Sequence, residues 1–242
     1  MDTKAFLDST LGNDGYYCLF ANNLSTGHHP QLFFNSTGDL LDAANEYDAK
    51  GYDAYFALCT FKNNNSRKAI NGKQIKSFFL DIDCGEGKDY GTQTEAVKEL
   101  ARFCKAVRLP RPLLVNSGRG VHVYWNLTET VCPDDWKPVA TRLKKLCKEH
   151  AFKCDNAVTS DCARVLRVPL THNHKTTPPT PVGYFGAAPK PIDFDKFSEI
   201  IGVDPIPVPT RRAAGASAVM AALTPNYKSY FKDILTKSKV GK

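Results

Sequence analysis

Long apolar runs are missing from this sequence. Among its 242 residues, no hydrophobic stretch approaches the roughly 20 residues that a membrane-spanning helix needs. The N-terminal stretch MDTKAFLDSTLGND contains acidic residues and has neither the basic start nor the apolar segment of a secretory signal. We therefore predict a cytoplasmic protein without a membrane partner. The sequence also has no internal repeat.

The cysteine content and the charge are both informative. Eight cysteines are an even number, which in a small secreted chain would predict disulfides. The length of the chain and the missing signal argue against that interpretation, so we expect free thiols that behave as small buried hydrophobes in a reducing cytoplasm. The net charge of +7 is a moderate basic excess that points to a polyanionic partner.

Extended and helical patterns follow one another along the chain. Residues 15–34 predict a hairpin, and two apolar stretches, DAYFALCTF (53–61) and IKSFFLDID (75–83), predict strands that pair antiparallel. This order favours an α+β domain with a largely antiparallel sheet flanked by helices. The remaining predicted elements are helices near residues 39–50, 92–107, 133–152 and 194–201, and strands within 112–127 and 164–175.

Two aspartates end the strand KSFFLDIDCGEG. Because strand side chains alternate between faces, Asp81 and Asp83 point the same way, about 6 to 7 Å apart. Two such carboxylates repel each other unless a cation lies between them, and Mg²⁺ prefers carboxylate oxygens. The pair is a candidate metal site of the two-metal phosphoryl-transfer kind, although a D-x-D at a solvated strand end is also common without one.

A glycine-rich turn separates the next two predicted strands, in NSGRGVHVYW. Backbone N–H groups at Ser117, Gly118 and Gly120 can hold phosphate oxygens, Arg119 adds a cation, and His122 can hydrogen-bond a phosphate. The alternative interpretation is an ordinary hairpin turn followed by a core-facing histidine.

A third segment, residues 153–175, combines acids and bases. Asp155 and Asp161 are further carboxylates, and Arg164 and Arg167 are cations suited to a triphosphate beside a metal site. Taken alone, the segment fits a surface strand that carries ordinary salt bridges better than it fits a binding site. The THNHK loop that follows contains His172, Asn173, His174 and Lys175.

Together, and in this order, the three segments resemble the motifs of the archaeo-eukaryotic primase superfamily, particularly the primase-polymerase modules of phages, plasmids and other mobile elements. FFLDIDCG is similar to the D-x-D motif, NSGRGVHVYW to the S-G-x-G-x-H form of the second motif, and RVLRVPLTHNHK to an R-x-x-R-x-P-G-T-x-N-x-K element. The resemblance covers about residues 50–180. It departs at Leu170, where the family usually has glycine after the proline.

The resemblance implies a catalytic core with an RRM-like, mixed and largely antiparallel sheet, plus a small helical C-terminal appendage. It also implies that Asp81 and Asp83 are catalytic and bind two Mg²⁺ or Mn²⁺ ions, with a third acid that is Asp155 or Asp161; spacing cannot choose between them, and we favour Asp155. His122 would be catalytic as well. The implied nucleotide-binding residues are Ser117, Gly118, Arg119, Gly120, His122, Arg164, Arg167, Asn173 and Lys175.

The implied activity is that of a DNA-dependent primase-polymerase, a nucleotidyltransferase that makes primers on single-stranded DNA from nucleoside triphosphates. We expect residues 1–185 to form the catalytic domain. Residues 186–242 would be a proline-rich connector and a small helical, basic segment that leads to a helicase domain or partner. A phage-encoded chain would act in the host cytoplasm.

Parts of the sequence are also compatible with two other functions and with a zinc site. A non-catalytic RRM-like binder of single-stranded nucleic acid would display paired aromatic side chains on its strands, where this sequence places carboxylates. A replication-initiation nicking endonuclease would combine the histidine pair of THNHK with a nucleophilic tyrosine, for which Tyr227 and Tyr230 are candidates. Only the first half of a possible zinc-ligand series has the short paired spacing, so we do not expect structural zinc at Cys147, His150, Cys154 and Cys162.

Overall fold

Helices and strands alternate through residues 2–203, the part of the chain that the computed structural model describes. The helices in this range are α1 (Thr3–Thr10), α2 (Thr37–Ala49), α3 (Gln93–Val107), α4 (Pro133–Glu149) and α5 (Phe194–Ile200). The strands are β1 (Tyr17–Asn22), β2 (Gln31–Phe34), β3 (Asp53–Ala57), β4 (Cys59–Phe61), β5 (Gly72–Asp83), β6 (Leu113–Asn116), β7 (Gly120–Val131), β8 (Val165–Arg167), β9 (His172–Asn173), β10 (Thr180–Pro181) and β11 (Gly183–Phe185).

The strands form two main sheets. A four-stranded sheet has the order β2-β1-β3-β8, a five-stranded sheet has the order β11-β6-β7-β5-β4, and β9 pairs separately with β10. Every pair of named strands is antiparallel. The predicted α+β class with a largely antiparallel sheet is therefore confirmed.

The predicted strand over 53–61 is in fact two strands in different sheets. β3 pairs with β1 and β8, whereas β4 pairs with β5. The chain changes sheets at Leu58, whose backbone N–H donates to the carbonyl of Arg164. The expected antiparallel pairing with β5 is thus correct for residues 59–61 and wrong for residues 53–57.

The other local predictions agree closely with the structure. β1 and β2 form the expected hairpin. The helix expected near residues 39–50 runs over Thr37–Ala49, and it begins where the Ser36 hydroxyl accepts a hydrogen bond from the N–H of Asp39. It ends before Gly51, which has a φ of 81°.

Aromatic side chains of β5 join α4 and α5 to the five-stranded sheet. Phe78 stacks on Trp136 at a centroid distance of 5.8 Å and on Phe197 at 4.3 Å. Trp136 also donates its indole N–H to the carbonyl of Ser77. The part of the predicted C-terminal segment that the structure describes therefore packs on the core, and the rest, from residue 204, lies outside the described residues. A domain boundary after residue 185 stays a prediction.

All eight cysteines are free thiols, and six of them are buried. None of the helices between residues 2 and 203 has the length and apolar character of a membrane span.

Candidate active site

The two aspartates of the D-x-D pair are held by β5 where it pairs with β7. Asp81 lies opposite His122 and Asp83 lies opposite Gly120, and the apolar residues Phe78 to Ile82 around the pair are buried. Because directly opposed residues face the same side of a sheet, His122 stands beside Asp81. Its Nε2 is 3.8 Å from an oxygen of the Asp81 carboxylate.

Asp155 is the third acid that the fold brings to this pair. Its backbone N–H donates to the carbonyl of Asp81 at 2.8 Å, and its side chain lines the same cavity. Asp161 instead lines a different cavity, with Arg67 and Lys68. Of the two acids that the sequence left open, the geometry favours Asp155.

One cavity of about 360 Å³ collects most of the predicted site. Gly118, Gly120 and Asp161 are the predicted residues that do not line it. The lining includes Tyr55, Asp81, Asp83, Lys88, Ser117, Arg119, His122, Asp155, Arg164, Arg167, Asn173 and Lys175. Residues from β3, β5, β7, β8 and the loops between them thus meet in a cleft that both main sheets line.

Gly118 and Gly120 do not line the cavity, but they allow the close packing of the turn that does. Gly118 has a φ of 89°, and a Cβ there would lie 2.7 Å from the Cβ of Asn173. A Cβ at Gly120 would lie 2.3 Å from the carbonyl oxygen of Ile82. Both positions therefore exclude any side chain, because the turn is pressed against β5 and β9.

The electrostatics of the cavity favour a neutral His122 and disfavour the charged form of Asp81. Burial, followed by the charge of Arg167, lowers the pKa of His122 to about 3, so its imidazole is neutral at pH 7. Burial, followed by the charge of Asp83, raises the pKa of Asp81 to about 7, with Asp155 adding to the effect. Extra negative charge at this point is unfavourable without a cation.

The other two acids have cationic partners. Lys88 Nζ lies 2.8 Å from Asp83, and Arg164 lies 3.5 Å from Asp155. Between residues 2 and 203, no three His, Cys, Asp or Glu side chains converge closely enough to form a metal site as they stand. The donor set nevertheless fits a hard divalent cation, because Asp81, Asp83 and Asp155 offer only carboxylate oxygens and the charges of Arg164 and Arg167 do not offset the burial of Asp81.

Arg167 is largely occupied by protein partners. Its guanidinium forms a two-pronged ion pair with the fully buried Asp53, at 2.6 and 3.0 Å, and donates to the side-chain oxygen of Asn173 at 2.9 Å. Asn173 in turn donates to the carbonyl of Ser117 at 2.9 Å. A buried network therefore runs from β3 to the turn that holds Ser117 and Arg119.

Arg164 is different, because part of its guanidinium is unused. Its Nε is buried and has no hydrogen-bond partner in the described part of the chain. Arg119 and Lys175 also line the cavity, and neither forms an ion pair with any residue between 2 and 203. These three cations are available to a bound anion.

Sequence reasoning missed Asp53, Tyr55 and Lys88. Lys88 follows the D-x-D pair on a turn in which Gly85 and Gly87 have φ values of 123° and 73°, and its charge near two acids was the available signal. Asp53 and Tyr55 belong to an apolar run and carry no such signal.

The histidine pair of the THNHK loop faces away from the cavity. His172 and His174 both bind the carboxylate of Asp48 at 2.9 Å, while the alternate residues Asn173 and Lys175 line the cavity. The tyrosines proposed for a nicking endonuclease, Tyr227 and Tyr230, lie outside the described residues.

The four residues of the possible zinc series are not gathered at one point. Cys147 is a neighbour of Cys154, Cys162 is a neighbour of Cys59, and the ring of His150 lies 6.0 Å from that of Phe103.

The fold is similar to that of solved primase structures, although no family model and no curated protein matches the sequence. The AEP domain of the cyanophage S-2L primase-polymerase has a TM-score of 0.57 at 16% identity, with 77% of this chain and 89% of that chain covered. The catalytic domain of primase RepB′, in complex with initiator DNA, has a TM-score of 0.54 at 13% identity, with 82% and 88% covered. A further structure of primase RepB′ has a TM-score of 0.55 at 13% identity, with 82% and 58% covered.

The chain has the archaeo-eukaryotic primase fold. The resemblance that the three sequence motifs carry is thus confirmed at the level of the fold.

Leu170 stands where the family pattern usually has glycine, and its backbone conformation fits that pattern. Its φ of 64° lies in the left-handed region that favours glycine. The backbone at this position therefore has a conformation that glycine adopts without strain, and the leucine side chain is 61% exposed. Its N–H donates to the carbonyl of Val182, which ties the turn to the segment before β11.

Proposed function

We propose that this protein is a DNA-dependent primase-polymerase, a nucleotidyltransferase that makes and extends primers on single-stranded DNA. The observation that carries the proposal is the single cavity in which three acids, Asp81, Asp83 and Asp155, meet the available cations of Arg119 and Arg164. Such a combination suits a metal-bound triphosphate. The primase fold supports the same assignment, since one similar structure contains initiator DNA.

The acids are the proposed ligands of Mg²⁺ or Mn²⁺. Asp81, Asp83 and Asp155 would hold the ions, with Lys88 and Arg164 released from Asp83 and Asp155 as the carboxylates turn toward them. When bound, such ions lower the pKa of an attacking hydroxyl and stabilise a pyrophosphate leaving group.

The cations and the glycine-rich turn are the proposed seat of the nucleoside triphosphate. Arg164, Arg119 and Lys175 neutralise phosphate oxygens, and the turn from Ser117 to Gly120 offers backbone N–H groups. His122 is neutral and so has one ring N–H to donate to the nucleotide. Its Nε2 faces the side of Asp81, and its Nδ1 lies 3.5 Å from the Tyr124 hydroxyl.

In the proposed reaction, the 3′-hydroxyl of a primer, or of a first nucleotide, attacks the α-phosphate of the bound nucleotide. A new phosphodiester bond forms, pyrophosphate leaves, and the hydroxyl proton passes to solvent. The residues of the chain contribute position and charge, so no side chain has to act as general base.

The test is nucleotide incorporation on a single-stranded template with Mg²⁺ or Mn²⁺ and labelled nucleotides. Wild type should make or extend oligonucleotides, and the double variant Asp81→Asn, Asp83→Asn should reduce incorporation by at least about a hundredfold. Asp42→Asn is the matched control, because Asp42 is an exposed carboxylate of α2 that lines neither the active-site cavity nor the cavity of Asp161. It should retain wild-type incorporation.

Undiminished synthesis by the double variant would remove the metal-binding role of these aspartates. Cleavage of DNA without incorporation would favour the nicking endonuclease, and binding of single strands without either reaction would favour a non-catalytic binding module.

A further inference from the structure

A row of side chains crosses the four-stranded sheet and ends in the active-site cavity. Gln31 lies opposite Phe20, Phe20 opposite Tyr55, and Tyr55 opposite Arg167 in the strand register. Directly opposed residues share one face of a sheet, so these four side chains stand next to one another. Tyr55 and Arg167 line the cavity, and Phe20 and Gln31 continue the row away from it.

The aromatic rings of this row form a continuous ladder. The rings of Phe20 and Tyr55 are 6.0 Å apart, and His29 extends the series at 6.4 Å from Phe20. Guanidinium groups flank both central rings, with Arg67 at 5.8 Å from Phe20 and Arg167 at 4.8 Å from Tyr55. The ladder therefore combines flat π-faces with positive charge.

Phe20 and Tyr55 do not belong to the hydrophobic core. Both are partly exposed, and neither packs against the core within residues 2–203, whereas Phe33 and Phe34 of the adjacent strand do. Burial against apolar neighbours therefore does not account for two aromatic rings at these positions. Each residue keeps some exposed surface that a ligand can contact.

A second cavity continues the row at its far end. It has a volume of about 510 Å³ and is lined by Gln31, Arg67 and Lys68, with Asp161 as its acid. Arg67 donates to the side chain of Gln31 at 3.3 Å and to the carbonyl of Ala163. The ladder thus connects the acidic and cationic active-site cavity with a second region in which cations outnumber acids.

We propose that Phe20 and Tyr55 form a template track that binds single-stranded DNA by stacking its bases. Gln31 stands at one end of this track, the buried Arg167 supports the Tyr55 ring at the other, and His29 and Arg67 flank it. This inference rests on the proposed function, because a template must leave the cavity along a surface that accepts any base. Stacking on aromatic rings meets that need, since every base has a π-face. Arg67 and Lys68 supply attraction for the phosphates.

The template track places its paired aromatic side chains on a different sheet from the carboxylates of the active site, which bears on the likeness to RRM-like sheets. Those sheets bind single strands through paired aromatic side chains on neighbouring strands. Here the five-stranded sheet presents Asp81 and Asp83 at the cavity, and the paired aromatics Phe20 and Tyr55 stand on the four-stranded sheet. In this proposal the five-stranded sheet holds the catalytic carboxylates, and the four-stranded sheet binds the single-stranded DNA.

The test compares the binding of a fluorescently labelled single-stranded oligonucleotide with that of an abasic strand of equal length. Phe20→Ala should weaken binding of the base-containing strand by about tenfold and leave the abasic strand almost unchanged, since only bases stack. Phe34→Ala is the matched control in the same hairpin, because Phe34 packs against the core and lies outside the row. It should keep the wild-type ratio of the two affinities.

Phe20→Leu covers the case in which Phe20→Ala fails to fold, because it retains apolar volume and removes the flat ring. Equal loss of affinity for the two strands, or no loss for either, would overturn the template track. The binding readout needs no catalysis, so it separates this inference from the proposed function: a protein that incorporates no nucleotide but shows the Phe20 effect retains the track and loses the activity.

Discussion

At the scale of single residues, Asp81 is held where its negative charge is unfavourable. Burial and the charge of Asp83 raise the pKa of its carboxyl from an ordinary 3.8 to about 7. In that interval the folded protein retains a proton that the unfolded chain has lost. The stability of the metal-free protein should therefore be fully present below the lower value and fall as the pH rises toward the higher one.

Asp81→Asn removes this charge while it preserves the shape of the side chain. In EDTA at pH 8 the substitution should raise the free energy of unfolding by about 1 to 3 kcal/mol. Near pH 4 the gain should be much smaller, because Asp81 is protonated in the folded state and still partly protonated in the unfolded chain. Urea titrations at the two pH values measure the difference, with Asp161→Asn as the control. A gain of equal size at both pH values would contradict the shifted pKa.

Arg167 and Asp53 offer a second prediction at this scale. If the guanidinium acts by positioning Asn173 and the Ser117 turn, then Asp53→Asn should raise the KM for nucleotide as Arg167→Lys does, although Asp53 touches no substrate. Either change should also cost about 3 kcal/mol of stability, since it breaks a buried pair. Steady-state kinetics at saturating template measure KM and kcat separately. An unchanged or lower KM in Asp53→Asn would instead identify Arg167 as a direct phosphate contact.

The D-x-D site and the Asp53–Arg167 ion pair differ in how far the sequence alone can predict them. Asp81, Ser117 and His122 stand in short local patterns whose spacing already places them on one face or turn. Asp53 begins an apolar strand, and its partner Arg167 is 114 residues away in the chain. Only the folded pairing of β3 with β8 brings them together, so spacing could not predict this ion pair.

At the scale of elements, local signals predicted where helices begin and end but not which sheet a strand joins. Ser36 and Gly51 mark the ends of α2 through capping chemistry that is written in adjacent residues. The change of sheet at Leu58 has no such mark, because the apolar run on either side contains neither glycine nor proline. The switch depends on the distant carbonyl of Arg164, which binds the Leu58 N–H.

The turn after β8 carries a testable strain. Leu170 adopts a φ of 64°, which is unfavourable for a side chain with a Cβ, and its side chain is largely exposed. Leu170→Gly should therefore raise the free energy of unfolding, by up to about 1 kcal/mol.

Leu24→Gly is the matched control for that turn, because Leu24 is also an exposed leucine in a turn and has no positive φ. It should cost about 0.5 to 1 kcal/mol through the greater freedom of the unfolded chain. Urea unfolding of both variants supplies the comparison. Losses of the same size at the two positions would show that Leu170 is not strained.

At the scale of the whole molecule, α5 packs against the strand of the five-stranded sheet that carries the D-x-D pair. Phe197 is fully buried and stacks on Phe78, whose strand continues to Asp81 and Asp83. The strand that carries the carboxylate pair thus packs against a helix more than a hundred residues later in the chain. We propose that residues 204–242, which follow this helix, contribute template or initiation contacts, or lead to a helicase partner.

Two truncations separate the role of α5 from that of the segment after it. A chain that ends at Ala188 loses Phe197 from the core and should be destabilised by at least the roughly 3 to 5 kcal/mol of a buried Phe→Ala change, so Phe197→Ala in the full chain should reproduce most of its loss. A chain that ends at Val203 keeps every core contact described above and should unfold within a few degrees of the full chain.

In primer-extension and priming assays at equal protein concentration, we expect the chain that ends at Val203 to extend a supplied primer normally and to lose most of its ability to begin one. Normal priming by it would remove residues 204–242 from initiation, and unfolding of it would show that α5 does not complete the core.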